Sequence, residues 1–176
     1  MNFSDTPISG VWIITPDPVY DERGYFARSF CQKEFLDHGL VMDIVQCNMS
    51  FNKKKGTLRG MHFQSTPFEE KKLVSCIKGA IYDVVLDLRE NSLTFCQYFS
   101  IELGEENCKI LYVPEGCAHG FQTLNDNSVV YYQMSEFFHP EYSGGVRWND
   151  PEFAIQWPIE QKILSDKDQS YSDFKQ

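Results

Sequence analysis

Long apolar runs, an excess of basic charge and metal-ligand spacing are all missing from this chain, and each absence removes a class of function. No apolar stretch approaches the ~20 residues needed to cross a bilayer. Met1 to Pro7 carries neither the charged nor the apolar region of a signal peptide, so a cytoplasmic protein without membrane contact is expected. Lys and Arg number 16 against 25 Asp and Glu, a net charge of −9. Such a surface repels polyanions on average, which argues against a nucleic-acid partner. An anionic small molecule needs only a local cluster of cations and stays open. The four histidines, His38, His62, His119 and His139, include no HxH or i, i+4 pair, and the six cysteines include no CxxC pair. Neither a metal centre nor a disulfide framework is therefore expected, and the cysteines read as reduced, mostly buried thiols.

The 176 residues are 42% hydrophobic and 15% aromatic, enough for one domain, 1–176, with a substantial core. Short apolar or alternating runs recur at Val11 to Thr15, Leu73 to Ile77, Ala80 to Leu88, Tyr98 to Leu103, Lys109 to Val113, Phe121 to Leu124 and Val129 to Met134. That rhythm predicts an all-β sandwich or barrel. Lys78-Gly79 between two runs reads as the tight turn of a hairpin from Leu73 to Leu88, and Asn125-Asp126-Asn127 reads the same way. Helical patterning is confined to Gln32 to His38, where Phe35 and Leu36 form an apolar stripe that should pack on the sheet. The polar tail from Ser165 onward is the candidate for a loose end, although it holds the charged cluster Asp166, Lys167 and Asp168.

The segment Gly56 to Gln64 sets Arg59 and His62 on a strand-like, apolar stretch punctuated by glycines. Arginine grips anions with a planar fork and neutral histidine accepts a proton at cellular pH, so a pocket for an anionic substrate is one reading. A buried pair satisfied by carboxylates is the other, and spacing alone leaves both open. His119 likewise enters an apolar strand just after a turn. His62 and His119 can meet across a barrel, but a metal needs three or four ligands. On a strand only one of Lys71 and Lys72, and only one of Tyr131 and Tyr132, can face inward. Each is open to a solvated alternative, and Lys53-Lys54-Lys55 reads as a solvated loop.

Ordered blocks along nearly the whole chain resemble the dTDP-4-dehydrorhamnose 3,5-epimerase family. They are Asp21-Glu22-Arg23-Gly24 with Phe26, Gln46 and Asn48 with Ser50, Gly56 to Gln64, Lys72-Leu73-Val74, Gly79 with Asp83-Val84, and Asp87-Leu88-Arg89. Pro114 to Phe121, Tyr132, Arg147 to Pro151, Trp157-Pro158 and Ser165 to Asp168 complete the pattern. The resemblance implies a cupin-type jelly roll, a double-stranded β-helix with a few short helices. It also implies a homodimer in which each subunit completes its partner's site, no metal and no organic cofactor. The implied substrate is a nucleoside-diphosphate 4-keto-6-deoxy sugar, epimerised beside its ketone at carbons 3 and 5 through an enolate.

The same resemblance assigns roles. His62 is the base, Asp168 holds its far nitrogen, and Tyr132 is the acid on the opposite face of the sugar. Lys72 and His119 match positions beside the carbonyl, where they would stabilise the developing oxyanion. Arg59 matches a diphosphate contact, Gln46, Asn48 and Ser50 a polar edge along phosphates and sugar, and Arg23 and Phe26 residues that reach the nucleotide from the neighbouring subunit.

Two positions depart from the family pattern. Arg28 stands where a glutamate commonly contacts the thymine ring. Arginine only donates hydrogen bonds, so thymidine remains the default with cytidine, uridine and guanosine forms open. Phe138 stands where a tyrosine is common, and it stacks but donates no proton, which leaves inversion at one carbon as an alternative to both. A metal-dependent cupin and a non-catalytic nucleotide-sugar binder are the rival classes.

Overall fold

The computed structural model describes residues 1–174. One antiparallel sheet has six strands in the order β1 (Asn2–Asp5), β2 (Trp12–Thr15), β10 (Ile110–Val113), β7 (Lys72–Lys78), β12 (Ser128–Met134) and β5 (Gln46–Asn52). A second has five, β13 (Ser143–Gly145), β6 (Leu58–Gln64), β11 (Cys117–Thr123), β8 (Ala80–Asp87) and β9 (Tyr98–Gly104). The strands β3 (Val19–Asp21) and β4 (Gly24–Phe26) form a separate two-stranded arm. The two large sheets face each other as a cupin-type jelly roll, the fold class expected. No described helix is long and apolar enough to cross a membrane.

Alternation along each strand builds three apolar layers. Val74, Leu111 and Val130 of the first sheet meet Ile81, Val85 and Phe121 of the second between the sheets. Leu73, Ile110 and Tyr112 point the other way, under helix α1 (Gln32–Asp37), whose Phe35 is fully buried. Val84, Leu86 and Ala118 are covered on the far side by Phe153 and Ile155. A sheet buried on both faces needs apolar residues at consecutive positions, which is why β8 reads as a near-continuous run. The stripe expected on α1 is narrower than Phe35 and Leu36 together, because Leu36 is 53% exposed.

Neither expected hairpin forms. β7 pairs with β10 and β12, whereas β8 pairs with β9 and β11, so Lys78-Gly79 carries the chain from one sheet to the other. Asn125-Asp126-Asn127 makes the same kind of crossing from β11 to β12. Gly79 does have the positive φ of 73° that its turn requires. Turn chemistry reports a local reversal, whereas the partner of each strand is chosen by which faces must be buried. The cysteines also differ from expectation. Cys76 and Cys117 are buried, Cys31, Cys96 and Cys108 are half-buried and Cys47 is exposed, so burial is less general than expected.

Several strands escaped the periodicity reading, and β5 shows why. Gln46, Asn48, Ser50 and Asn52 share its inward face while Cys47, Met49 and Phe51 share its outward one, the reverse of an ordinary half-buried strand. An inward polar face is what a strand lining a polar cavity requires.

Close approach of β6 and β11 sets the geometry beside that cavity. His62 sits directly opposite His119, and the register slips between His119 and Phe121. Gly60 there has φ +125°, and a Cβ on it would lie 2.5 Å from the Gly120 Cα. Gly60→Ala combines backbone strain with a backbone clash, so a loss of about 2–4 kcal/mol is expected. For a domain of this size that lowers the thermal midpoint by about 5–10 °C. A melting curve unchanged from wild type would show that the two backbones need not approach this closely.

Candidate active site

Both sheets contribute to one cavity of about 550 Å³, lined by Gln46, Asn48 and Ser50 of β5, Arg59 and His62 of β6, Lys72 of β7, His119 of β11, Tyr132 of β12, and Phe138. Strands far apart in sequence thus converge, each presenting one or more polar residues to the same cavity. The inward-or-outward choices are settled as well. Lys72 is buried within the cavity, while Lys71 turns away to Glu115 at 3.4 Å. Tyr132 packs against the inner core, and Tyr131 lies on the outer face opposite Met49. The Lys53-Lys54-Lys55 run is exposed, with Lys54 paired to Asp126, in keeping with a solvated loop.

His62 Nε2 lies 2.6 Å from Asp168 Oδ1. Asp168 belongs to helix α2 (Asp166–Ser170), so the tail expected to be loose is ordered across the described residues. Ser165 caps this helix by accepting the Asp168 backbone N–H at 3.1 Å, and Arg147 holds Asp173 at 2.6 Å. Burial alone pushes the Asp168 carboxyl up, but the hydrogen bond and charge of His62 outweigh it and hold the group below its ordinary value. An ionised Asp168 accepts a proton-bearing Nε2, which leaves the Nδ1 lone pair as the basic nitrogen. Among the described residues Nδ1 makes no hydrogen bond.

His119 has the same arrangement, its Nε2 2.8 Å from Oδ1 of the fully buried Asp83. Burial raises the Asp83 carboxyl, with the charges of His119 and Lys72 acting against it. Lys72 Nζ lies 2.9 Å from Glu70 Oε1 and donates to the His62 carbonyl oxygen at 3.3 Å. Arg59 is aimed by its Nε, which donates to Asn52 Oδ1 at 2.8 Å. Tyr132 is raised above the ordinary phenol value by burial, with the Arg59 charge opposing, so it stays protonated at neutral pH. His62 and Tyr132 stand on opposite sheets. No group of three or more His, Cys, Asp or Glu among the described residues is arranged to hold a metal.

Three expected residues are not brought to the cavity of their own chain. Arg23 pairs with Asp21 on the exposed arm, Phe26 at its end is 78% exposed, and Arg28 pairs with Glu34 of α1 at 2.8 Å. Conversely, Glu70, Gln64 and Lys167 line the cavity without having been singled out as site residues. Glu70 lies two positions before Lys72, so the period that turns the lysine inward was the available signal.

Residues 5–176 match the family model described as dTDP-4-dehydrorhamnose 3,5-epimerase. An enzyme of that name from Methanothermobacter thermautotrophicus is 41% identical, the alignment covering 99% of this chain and 95% of the relative. The chain belongs to the dTDP-4-dehydrorhamnose 3,5-epimerase family. It is therefore an isomerase of the epimerase type. Solved structures agree with the fold of this epimerase. The Bacillus anthracis enzyme with TDP and PPi bound superposes with a TM-score of 0.96 at 39% identity, covering 98% of this chain and 99% of that one. The Legionella pneumophila enzyme in complex with dTDP-4-keto-L-rhamnose gives a TM-score of 0.90 at 39% identity, covering 95% and 89%.

Proposed function

We propose that this epimerase inverts carbons 3 and 5 of a dTDP-linked 4-keto-6-deoxy sugar, using His62 as base and Tyr132 as acid, without a metal or organic cofactor. The observation that carries the reading is the His62–Asp168 contact at 2.6 Å in a cavity whose other sheet presents a buried, protonated phenol. A proton beside a ketone leaves only when a base is aimed at it and the enolate oxygen is stabilised. His62 Nδ1 takes the proton, and Asp168 offsets the imidazolium charge. Lys72 donates to the enolate oxygen, with His119 beside it in the cavity. Tyr132 returns a proton to the opposite face of the carbon, which inverts it.

Arg59 binds the diphosphate, with Gln46, Asn48 and Ser50 along the sugar and phosphates and Phe138 stacking at the rim. Arg59→Ala should raise KM about 10–100-fold with a smaller change in kcat, the loss of a charge-assisted contact. An unchanged KM would move the diphosphate elsewhere.

The nucleotide contacts of Arg23 and Phe26, and of Arg28 beside them, come from the arm of a second copy in a homodimer. Two observations support this. The arm leaves Val19, Tyr20, Tyr25 and Phe26 exposed, and Met49, Phe51 and Ile77 are exposed on the outer face of the six-stranded sheet. A monomer in sedimentation at micromolar concentration would end this part of the reading. Cysteines without a disulfide framework fit the reducing cytoplasm.

Incubation with dTDP-4-keto-6-deoxyglucose in deuterated water is the direct test, with label expected at carbons 3 and 5. No label at either carbon would sink the assignment for that sugar. Phe138, which lines the cavity but has no hydroxyl, favours a second reading, inversion at a single carbon, and label at one position would select it.

A further inference from the structure

Glu70 enters the cavity from the residues just before β7, and no step above uses it. Its side chain is 4% exposed, Oε1 lies 2.9 Å from Lys72 Nζ, and the buried Oε2 has no hydrogen-bond partner among the described residues. A desolvated carboxylate with an unmet acceptor lowers stability, so packing alone is a poor reason for a glutamate here. Lys72 is nearly as buried, with 9% of its side chain exposed. A buried ammonium needs a counter-charge and acceptors for its N–H groups.

The ammonium has three N–H donors, and Glu70 Oε1 and the His62 carbonyl oxygen take two of them. One is left for an oxygen in the cavity. We infer that Glu70 is a positioning residue that holds the Lys72 ammonium in place and directs its remaining donor at the enolate oxygen, an inference that rests on the epimerase reading. The other ionisable groups around that ammonium do not replace it. Asp83 feels the charge of Lys72, but its Oδ1 is taken by His119 and burial pushes its carboxyl up. Burial also pushes the Cys117 thiol up to about 12, so the thiol is neutral. His62, His119, Tyr132, Arg59 and Lys167 share the cavity and supply no anion at neutral pH.

Glu70→Gln keeps the shape of the side chain and removes its charge. In the deuterium-exchange assay its kcat at pH 7 should be about 10–100-fold below wild type, the scale of losing one oxyanion donor, with KM nearly unchanged. Glu70→Asp, which retains the charge, should lose less kcat than Glu70→Gln, again with KM nearly unchanged. Adding Glu70→Gln to Lys72→Met should change kcat by no more than about twofold, since the residue acts through the lysine.

A kcat for Glu70→Gln within about twofold of wild type, a Glu70→Asp loss as large as that of Glu70→Gln, or a full further loss in the Lys72→Met background would each overturn the inference. Should Glu70→Gln fail to fold, the double variant, which removes both charges together, still decides it. A wild-type protein that exchanges no proton would instead remove the epimerase reading itself.

Discussion

His62→Ala should lower kcat for deuterium exchange by about 10²–10⁴-fold, the range expected for a positioned general base, while nucleotide-sugar affinity changes little. The size follows from what the side chain does. Asp168 at 2.6 Å fixes the ring and the tautomer, so the variant loses an imidazole oriented by an ionised carboxylate. His119 is held by a different kind of carboxyl, because burial raises Asp83 whereas Asp168 lies below its ordinary value, so Asp83 gives less support to an imidazolium. Calorimetric titration with dTDP, alongside the exchange assay, separates binding from chemistry. Exchange within about threefold of wild type would show that another group takes the proton, since a general base contributes far more than that.

Tyr132→Phe should separate two events that the wild-type enzyme couples. Deuterium still enters from the His62 side, because abstraction and return on one face need no phenol. Inverted product should fall by about 10²–10⁴-fold, the contribution of a positioned acid. Burial holds the Tyr132 phenol above its ordinary value, with the Arg59 charge opposing. The acid is therefore present throughout the neutral range, and the wild-type rate should drop on the alkaline side only beyond about pH 10, where an ordinary tyrosine ionises. Product analysis by NMR distinguishes label without inversion from no reaction. Undiminished inversion in the variant would exclude Tyr132 as the acid.

Much of the site was legible in the chain because the signals were local. Arg59 and His62 stood out as a cation and an imidazole on an apolar strand, and alternation required one of Lys71 and Lys72, and one of Tyr131 and Tyr132, to face inward. Which member did so depended on strand register, and register depends on pairing partners hundreds of atoms away in the chain. The same limit explains the two misread hairpins. Gly79 and Asn125 to Asn127 are turns as expected, yet each carries the chain between sheets because strands β7 and β12 bury their faces against different neighbours from β8 and β11.

The tail marks that boundary most clearly. Its polarity suggested a loose end, and composition carries no information about a helix of five residues capped by Ser165. Only when the chain has closed its two sheets does Asp168 find His62, 106 positions earlier, and the contact then holds the carboxylate ionised. Residue chemistry and period-two patterning were inherent in the sequence, because they are properties of single side chains and of their nearest neighbours. The two sheets that separate His62 from Tyr132 and the arm that leaves Arg23 outside its own cavity belong to the folded molecule. They arise from contacts that burial selects over long loops, and no local pattern encodes them.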